Sequence, residues 1–558
     1  MNDEMRRRQF LQGLSLAVGG VAAAGCAAPG DDEELSEIEA AQTRGLPDTA
    51  FDPEVILPFY PYDPPRLPSG KKRRVLVVGG GLAGLSASLE LAERGYDVTV
   101  REAAPILGGR LSTRTERLRT GTFKVEHGLH MWFRQYYNSF DVLGRLGASQ
   151  KFASFDEVYF KFKNYAPETL RTEGPYPLNL LGIIQRSPNL NLLNALSTFG
   201  AVGDIIFYNH HTNFDRFDDV TFDDWGKRTR VDKAFWDIIM APAASVTLND
   251  TKRISAAEML QLMHIYFIGH PKAFRRVVTT EDHGTVVIDP WAARLRQLGA
   301  KILTSAPVRG LTFAGDRVVG EVGATETFDH TIIATDIPGL RRVLASSTST
   351  DAAGAAGLGR LRAMTSRLGI APAYSVLRVW FDKPTAPRPA SQAVIESSQY
   401  RPINLVALFH MLEEESRDWA KRTNGSVVEL HLYATPELQG LGADEIWRRI
   451  RPVALEIMPD LAGANALDFA LGSYENFTSY EVGQGKARPR PNSPKLEAGV
   501  KNLALAGDWV GTLYPSALME KAVSTGREAA NHVLLSDRVR EVELRVPKLR
   551  GPGILPRF

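Results

Sequence analysis

Residues 75–84 read Val-Leu-Val-Val-Gly-Gly-Gly-Leu-Ala-Gly, and the order of residue types in that stretch decides the fold class. An apolar, mostly β-branched run of this length is too short for a helix and reads as a buried strand. Gly79, Gly81 and Gly84 follow at once. In a strand-to-helix turn the first glycine permits the tight bend, the second lets the backbone approach a pyrophosphate, and the third lets the helix pack on the strand. Residues 82–94, opening with Leu82 and Ala83, supply that helix. Its free N–H groups and dipole favour phosphate at its start. Gly95 ends it, residues 96–101 form a second strand, and Glu102 stands at that strand's end. A carboxylate there can accept hydrogen bonds from both hydroxyls of an adenosine ribose, and it disfavours a 2′-phosphate. A glycine-rich turn alone serves many ends, but strand, glycines, helix, strand and acid occur here in order. The reading is an α/β chain with a dinucleotide-binding domain, with NAD and FAD both open at this point.

Residues 105–110, Pro-Ile-Leu-Gly-Gly-Arg, decide between them. Gly108 and Gly109 let the backbone approach a cofactor, and Arg110 brings a cation near the pyrophosphate. With this turn the chain resembles the flavin amine oxidase and carotenoid desaturase superfamily, in which a Gly-Gly-Arg turn follows the ribose-binding acid. The resemblance implies a two-dinucleotide-binding-domain flavoprotein: a Rossmann-like FAD domain interleaved with a mixed α+β substrate domain, holding FAD non-covalently. It also implies that Gly507 and Asp508, at the end of Leu-Ala-Leu-Ala-Gly-Asp, bind the ribityl chain, and that the final helix, near Met519 and Glu520, points its N–H groups at the flavin ring. A positive helix end would stabilise the reduced, anionic flavin. Val308 matches a segment whose valine backbone contacts adenine, and Ala334 closes the buried strand that ends in Ala-Thr-Asp.

Three details resemble the carotenoid side of the superfamily more than the amine oxidases. Residues 125–137 read Val-Glu-His-Gly-Leu-His-Met-Trp-Phe-Arg-Gln-Tyr-Tyr, similar to a stretch of carotenoid ring desaturases and methyl-shifting ring aromatases. Trp509 directly follows the Gly-Asp, and residues 518–531 resemble that group's Leu-Met-Glu-x-Ala helix. Residues 178–196 are rich in Leu and Ile, broken by Gly182 and Pro188, and could cover an entrance for a lipid or form an ordinary pair of core helices. The resemblance places Glu126, His127, Gly128 and His130 beside the flavin ring. Among these, His130 is the expected base on intrinsic pKa, with Glu126 and His127 as further catalytic candidates. Glu520 is read either as a charge stabilising the helix start or as a cofactor contact.

The bulk composition sets limits. At 558 residues the chain is too long for one core, and a net charge of +2 with 23% charged residues argues against a nucleic-acid partner. Cys26 is the only cysteine, so neither an internal disulfide nor a cysteine metal cluster can form. The adjacent His210 and His211 lack a metal-ligand spacing and read as surface residues. A Gly-x-Ser-x-Gly elbow is missing too, which argues against a hydrolase.

Arg6, Arg7 and Arg8, followed by Gln9, Phe10, Leu11 and a short apolar stretch, form a twin-arginine pattern, and Ala23, Ala24 and Gly25 before Cys26 resemble a lipoprotein cleavage box. These imply export and anchoring on the periplasmic side of a bacterial envelope, or a cytoplasmic, membrane-peripheral protein if the signal is not used. The expected division is a signal (1–26), a Pro-rich tether (27–72), FAD-domain parts at 73–137, 281–344 and 496–535, substrate-domain parts at 138–280 and 345–495, and a basic arm (536–558). The function expected is FAD-dependent dehydrogenation of a hydrophobic isoprenoid at a membrane surface, reached through a lipidated Cys26, with quinone or oxygen as electron acceptor. An amine oxidase and an envelope-tethered flavin-binding protein without turnover are the alternatives.

Overall fold

The computed structural model describes residues 66–551, except residues 69, 71, 171–178, 192–197, 269–272, 274, 490–498, 515–517 and 547–548. The proposed signal with Cys26, nearly all of the tether, both ends of the oily stretch, and the last residues of the arm lie outside the described residues.

The elements that build the site are, in chain order, β1 (Arg74–Val78), α1 (Leu82–Glu93), β2 (Asp97–Arg101), β3 (Thr113–Leu118), β4 (Gly121–Glu126) and α2 (Tyr137–Arg145). There follow β5 (Val158–Phe160), β6 (Glu168–Leu170), β7 (Lys301–Leu303), β8 (His330–Ile333), β9 (Tyr374–Phe381) and β10 (Val394–Tyr400). The set closes with β11 (Ile403–Leu408), β12 (Ser426–Leu432), β13 (Ala466–Tyr474), β14 (Leu503–Leu505) and α3 (Met519–Ser536).

The first sheet is wholly parallel, in the order β7-β2-β1-β8-β14. The inner strand β1 and the strand β14 read as apolar runs because both of their faces are covered, whereas the edge strand β7 exposes Lys301 and Leu303. Val75 and Val77 enter a core shared with α1 and α3, while Leu76 and Val78 enter a second core with Val308, Leu503 and Leu505. Parallel pairing needs crossover connections, so strands from sequence-distant segments lie side by side.

The second sheet has the order β13-β9-β12-β11-β10-β5-β6 and is antiparallel except for the β10–β5 pair. All eight residues of β9 and all seven of β12 are buried. One face packs on the helix Ala443–Ile457, through Leu377, Val428, Ile446 and Ile450. The other packs on the β3–β4 hairpin, through Phe123 and Val125 against Trp380 and Val427. This second packing lays the chain that leaves β4, residues 127–130, along the β9–β12 pair.

α1 and α3 cross closely. A Cβ on Gly526 would lie 2.3 Å from the Ala83 carbonyl oxygen, and the Ser86 hydroxyl donates to Val523 O at 2.7 Å. Beneath the crossing, fully buried Glu90 meets Arg145 at 2.6 Å, Arg94 at 3.0 Å and Arg527 at 3.2 Å, and Arg145 also reaches Glu93 at 2.9 Å. Burial pushes Glu90 up, but the three guanidinium groups outweigh it and hold the carboxyl below its usual range. The residues after α3 pack as an extended arm. Val539, Val542 and Leu544 are buried, and Asn531 exchanges two hydrogen bonds with the Val542 backbone.

Arg145→Met leaves Glu93 and Glu90 buried with fewer counter-charges. The loss should be about 3–5 kcal/mol of stability, read as a lowered denaturation midpoint of the FAD-loaded protein, whereas the exposed control Arg448→Met should change it by less than about 1 kcal/mol.

Candidate active site

Parallel strands all point their C-terminal ends the same way, so β1, β2, β8 and β14 present Gly79 to Gly84, Glu102, Ala334 and Gly507 with Asp508 along one edge. Gly79 has φ +110°, and a Cβ there would lie 2.6 Å from the Ala334 carbonyl oxygen. A Cβ on Gly84 would lie 1.9 Å from Gly79 O, which is the helix-to-strand contact expected of the third glycine. Gly81 behaves differently: the only atom its Cβ would meet within 4 Å is Gly109 Cα, at 3.9 Å. Gly81 and Gly109 therefore face each other as bare backbone. Among the described residues no side chain caps α1, which starts at Leu82, or α3, which starts at Met519, whereas Asp336 and Ser255 cap the helices they precede. Two uncapped helix starts offer N–H groups to an anion.

Glu102 is held by two backbone donors, Gly80 N–H to Oε2 at 2.6 Å and Ala104 N–H to Oε1 at 2.7 Å. Each oxygen keeps a further lone pair for a ribose hydroxyl. Val308 buries its side chain in the second core, so only its backbone is left to contact a ligand. The Gly507 N–H donates to Thr525 Oγ1 on α3 at 2.9 Å. Arg110 and Asp508, expected at separate parts of a cofactor, form an ion pair at 2.6 Å, with Thr478 donating to Asp508 at 3.0 Å. Burial raises the Asp508 carboxyl, and the Arg110 charge outweighs it. Backbone donors, two helix starts, the Glu102 carboxylate and the Arg110–Asp508 pair suit a dinucleotide, and the residues of this edge fit FAD.

Beyond β4 the geometry shows what surrounds the three catalytic candidates. Glu126 Oε1 accepts the backbone N–H of His283 at 2.6 Å and also its ring Nδ1–H. The Trp132 indole, which can only donate, bonds His283 Nε2 at 3.2 Å, so His283 accepts at Nε2 and turns Nδ1 to Glu126. Burial pushes Glu126 up, but the His283 contacts and the Arg378 charge hold it at about 2. Glu126 is thus a fixed anion that orients His283 and is unsuited to proton transfer near neutral pH. His127 stacks on Tyr474 with ring centroids 3.7 Å apart, and burial, with His130 and Arg110 nearby, lowers it to about 3. The intrinsic-pKa argument for His130 also fails. Burial and the neighbouring His283 lower it to about 4. His130 Nδ1 lies 2.8 Å from Gly128 O, a carbonyl that can only accept. The proton therefore sits on Nδ1, and Nε2 carries the lone pair.

Gly128 packs on the second sheet: its φ is +133°, and a Cβ would lie 2.9 Å from His431 Cε1. Behind it lies a buried group that sequence reasoning missed. Glu429 Oε2 takes Arg378 Nε at 3.0 Å, while its Oε1 takes His431 Nε2 at 2.8 Å and the Leu129 N–H at 3.0 Å. Antiparallel register sets Arg378 opposite Glu429 and Val376 opposite His431. Alternation of Glu429 and His431 with Val and Leu reads as a solvent-facing strand, yet both are buried.

Glu520 is engaged within the protein as well. Its carboxylate accepts the N–H groups of Asn138 and Ser139, each at 2.9 Å, and the Ser139 hydroxyl at 2.6 Å. It clamps the first turn of α2 to α3 by satisfying two backbone donors that the helix itself leaves unpaired. His210 and His211 are half-buried rather than on the surface, with His210 Nδ1 3.2 Å from the Tyr208 hydroxyl.

A parallel sheet whose strand ends carry this edge, interleaved with a second sheet that backs a histidine-rich segment, defines an FAD-binding oxidoreductase. Residues 82–534 match the sequence profile described as flavin containing amine oxidoreductase, and the chain belongs to that family. It is similar to the carotenoid phi-ring synthase of Streptomyces griseus, with 31% identity over 88% of this chain and 93% of that one. The carotenoid phi-ring synthase of Chlorobaculum tepidum is 26% identical over 86% and 91% of the two chains. The zeta-carotene desaturase of Synechocystis is 25% identical over 50% and 60%. Among solved structures, the cyclohexylamine oxidase of Brevibacterium oxydans shares the fold, with a TM-score of 0.57, 14% identity and coverage of 84% and 99%. The cofactor is FAD.

Gly81→Ala tests the cofactor edge. The added methyl meets almost nothing in the protein, so the apoprotein should melt as the wild type does, while FAD affinity, measured by fluorescence titration, should fall at least about tenfold.

Proposed function

We propose that this chain dehydrogenates a hydrophobic, carotenoid-type isoprenoid. FAD held at the Gly79–Gly84, Glu102 and Gly507 edge would supply the hydride acceptor. The observation that carries the reading is that the acids beside residues 126–130 are already engaged inside the protein: Glu126 by His283, and Glu429 by Arg378, His431 and Leu129 N–H. A third acid, Glu413, is raised by burial to about 8 and lies 3.5 Å from Arg378, so it too is engaged within the protein. An amine arrives as an ammonium and would seek a free carboxylate. A hydrocarbon needs none.

Hydride loss leaves a cation whose adjacent C–H is strongly acidic, so a weak base suffices to take the second proton. Neutral His130, its Nε2 lone pair held available by the Nδ1–H to Gly128 O, meets that need without repelling the cation. The π faces of Tyr374 and Tyr474, with centroids 5.2 Å apart, favour positive charge nearby. Two relatives that match nearly the full chain carry the name carotenoid phi-ring synthase, which favours the end ring of a carotenoid as the site of reaction. We also propose export by the twin-arginine route with lipidation of Cys26, which would hold the protein at the envelope membrane beside a hydrophobic substrate and a quinone, oxygen being the other acceptor. Among the described residues no helix is long and apolar enough to cross a membrane. In the oily stretch, Ile183 and Leu190 are buried in the main core.

Anaerobic addition of a carotenoid should bleach the flavin band of the purified protein; bleaching by amines alone would assign an amine oxidase instead, and no bleaching by either would favour a binding role. His130→Gln should keep FAD and lower kcat about 10²–10⁴-fold. Because protonation of Nε2 removes the base, wild-type kcat should be level between about pH 6 and 8 and fall as pH drops through about 4. Cys26→Ser should release the mature protein from the membrane fraction into the soluble fraction, with the flavin still bound.

A further inference from the structure

We propose that Glu429 is a positioning residue that sets the tautomer of His130 through the single peptide group between Gly128 and Leu129. The two ends of that group are engaged oppositely. Its N–H donates to Glu429 Oε1 at 3.0 Å, and its carbonyl oxygen, on Gly128, accepts His130 Nδ1–H at 2.8 Å. An N–H that donates to an anion shifts electron density toward the carbonyl oxygen of the same amide, which becomes a stronger acceptor. The stronger acceptor favours the proton on His130 Nδ1, against the preference of a free imidazole for Nε2–H.

The carboxylate also fixes which way the peptide plane faces. If the plane turned over, the Gly128 oxygen would face Glu429 in place of the N–H, an approach of two acceptors in a buried setting. Glu429 stays ionised because burial, which raises it, is outweighed by Arg378, and its side chain is held from both sides by Arg378 Nε at 3.0 Å and His431 Nε2 at 2.8 Å. His431 must donate from Nε2, since a carboxylate only accepts, and its Nδ1 faces the Tyr433 hydroxyl at 2.9 Å. With Nε2 protonated, His431 cannot take the Leu129 N–H, although the two nitrogens are 3.5 Å apart. That donor belongs to Glu429. Gly128 is required for the same reason, because a Cβ at φ +133° would strike His431 and displace the peptide.

This assignment rests on His130 as the proton acceptor, and its test separates the two claims. ¹⁵N-histidine NMR of the FAD-loaded protein, with His130 assigned by comparison with His130→Gln, reads the tautomer directly. Wild type should show a protonated Nδ1 and an unprotonated Nε2. Glu429→Gln should move a substantial share of His130 to the Nε2–H form and lower kcat at least about tenfold. Because Glu429→Gln alone leaves Arg378 short of a counter-charge, the pair Glu429→Gln with Arg378→Met is measured alongside and should show the same tautomer shift. If His130 remains wholly Nδ1–H in both folded variants, the role assigned to Glu429 is wrong. If His130→Gln retains full activity while the tautomer still responds to Glu429, the base assignment is wrong and the coupling stands.

Discussion

The crossing of α1 and α3 is the contact on which the cofactor edge depends. One helix begins the dinucleotide turn and the other begins beside Asp508, and only their close approach brings the two uncapped starts to one edge. Gly526 makes that approach possible, since any side chain would meet the Ala83 carbonyl. The Glu90 cluster then fixes the angle. Ion pairs buried this deeply contribute little net stability over an apolar packing, but they tolerate few alternative arrangements, because a displaced helix would strand a charge. Glu520 extends the same constraint to α2, whose first N–H groups it accepts.

A second constraint operates where the β3–β4 hairpin leans on the second sheet. The segment leaving β4 is held along its length by buried acids, Glu126 at its start and Glu429 through Leu129 N–H. Each acid is satisfied by partners from elsewhere in the chain, so neither offers a charge to the site. What the segment presents is neutral: His127 stacked on Tyr474, and His130 with a free lone pair. A wall that is polar in its hydrogen bonding yet uncharged in its exposed chemistry suits a reaction in which positive charge appears on a hydrocarbon for a moment and must be neither repelled nor trapped.

How much of this was legible in the chain differs by element. The cofactor edge depends on local requirements: a glycine where φ is positive or backbone approaches backbone, an acid at a strand end, a helix start. Such needs leave marks at fixed spacing, so Gly79, Gly81, Gly84, Glu102 and Gly109 could be read directly. The side chains of the reactive wall leave no such mark. His283 meets Glu126 from 157 positions away, and Glu429 meets Leu129 from 300. Glu520 carries the same ambiguity, since an acid in a helix's first turn looks alike whether it serves its own helix or, as here, another.

The amino-acid sequence by itself determined that the chain folds around a dinucleotide, because backbone geometry near a phosphate restricts residue type position by position, and the resemblance carried by residues 105–110 implied that the dinucleotide is a flavin. Only the tertiary structure decided what Glu126, His127 and His130 are. Their protonation follows from burial and from partners brought by distant strands, and a side chain's intrinsic pKa carries no record of either.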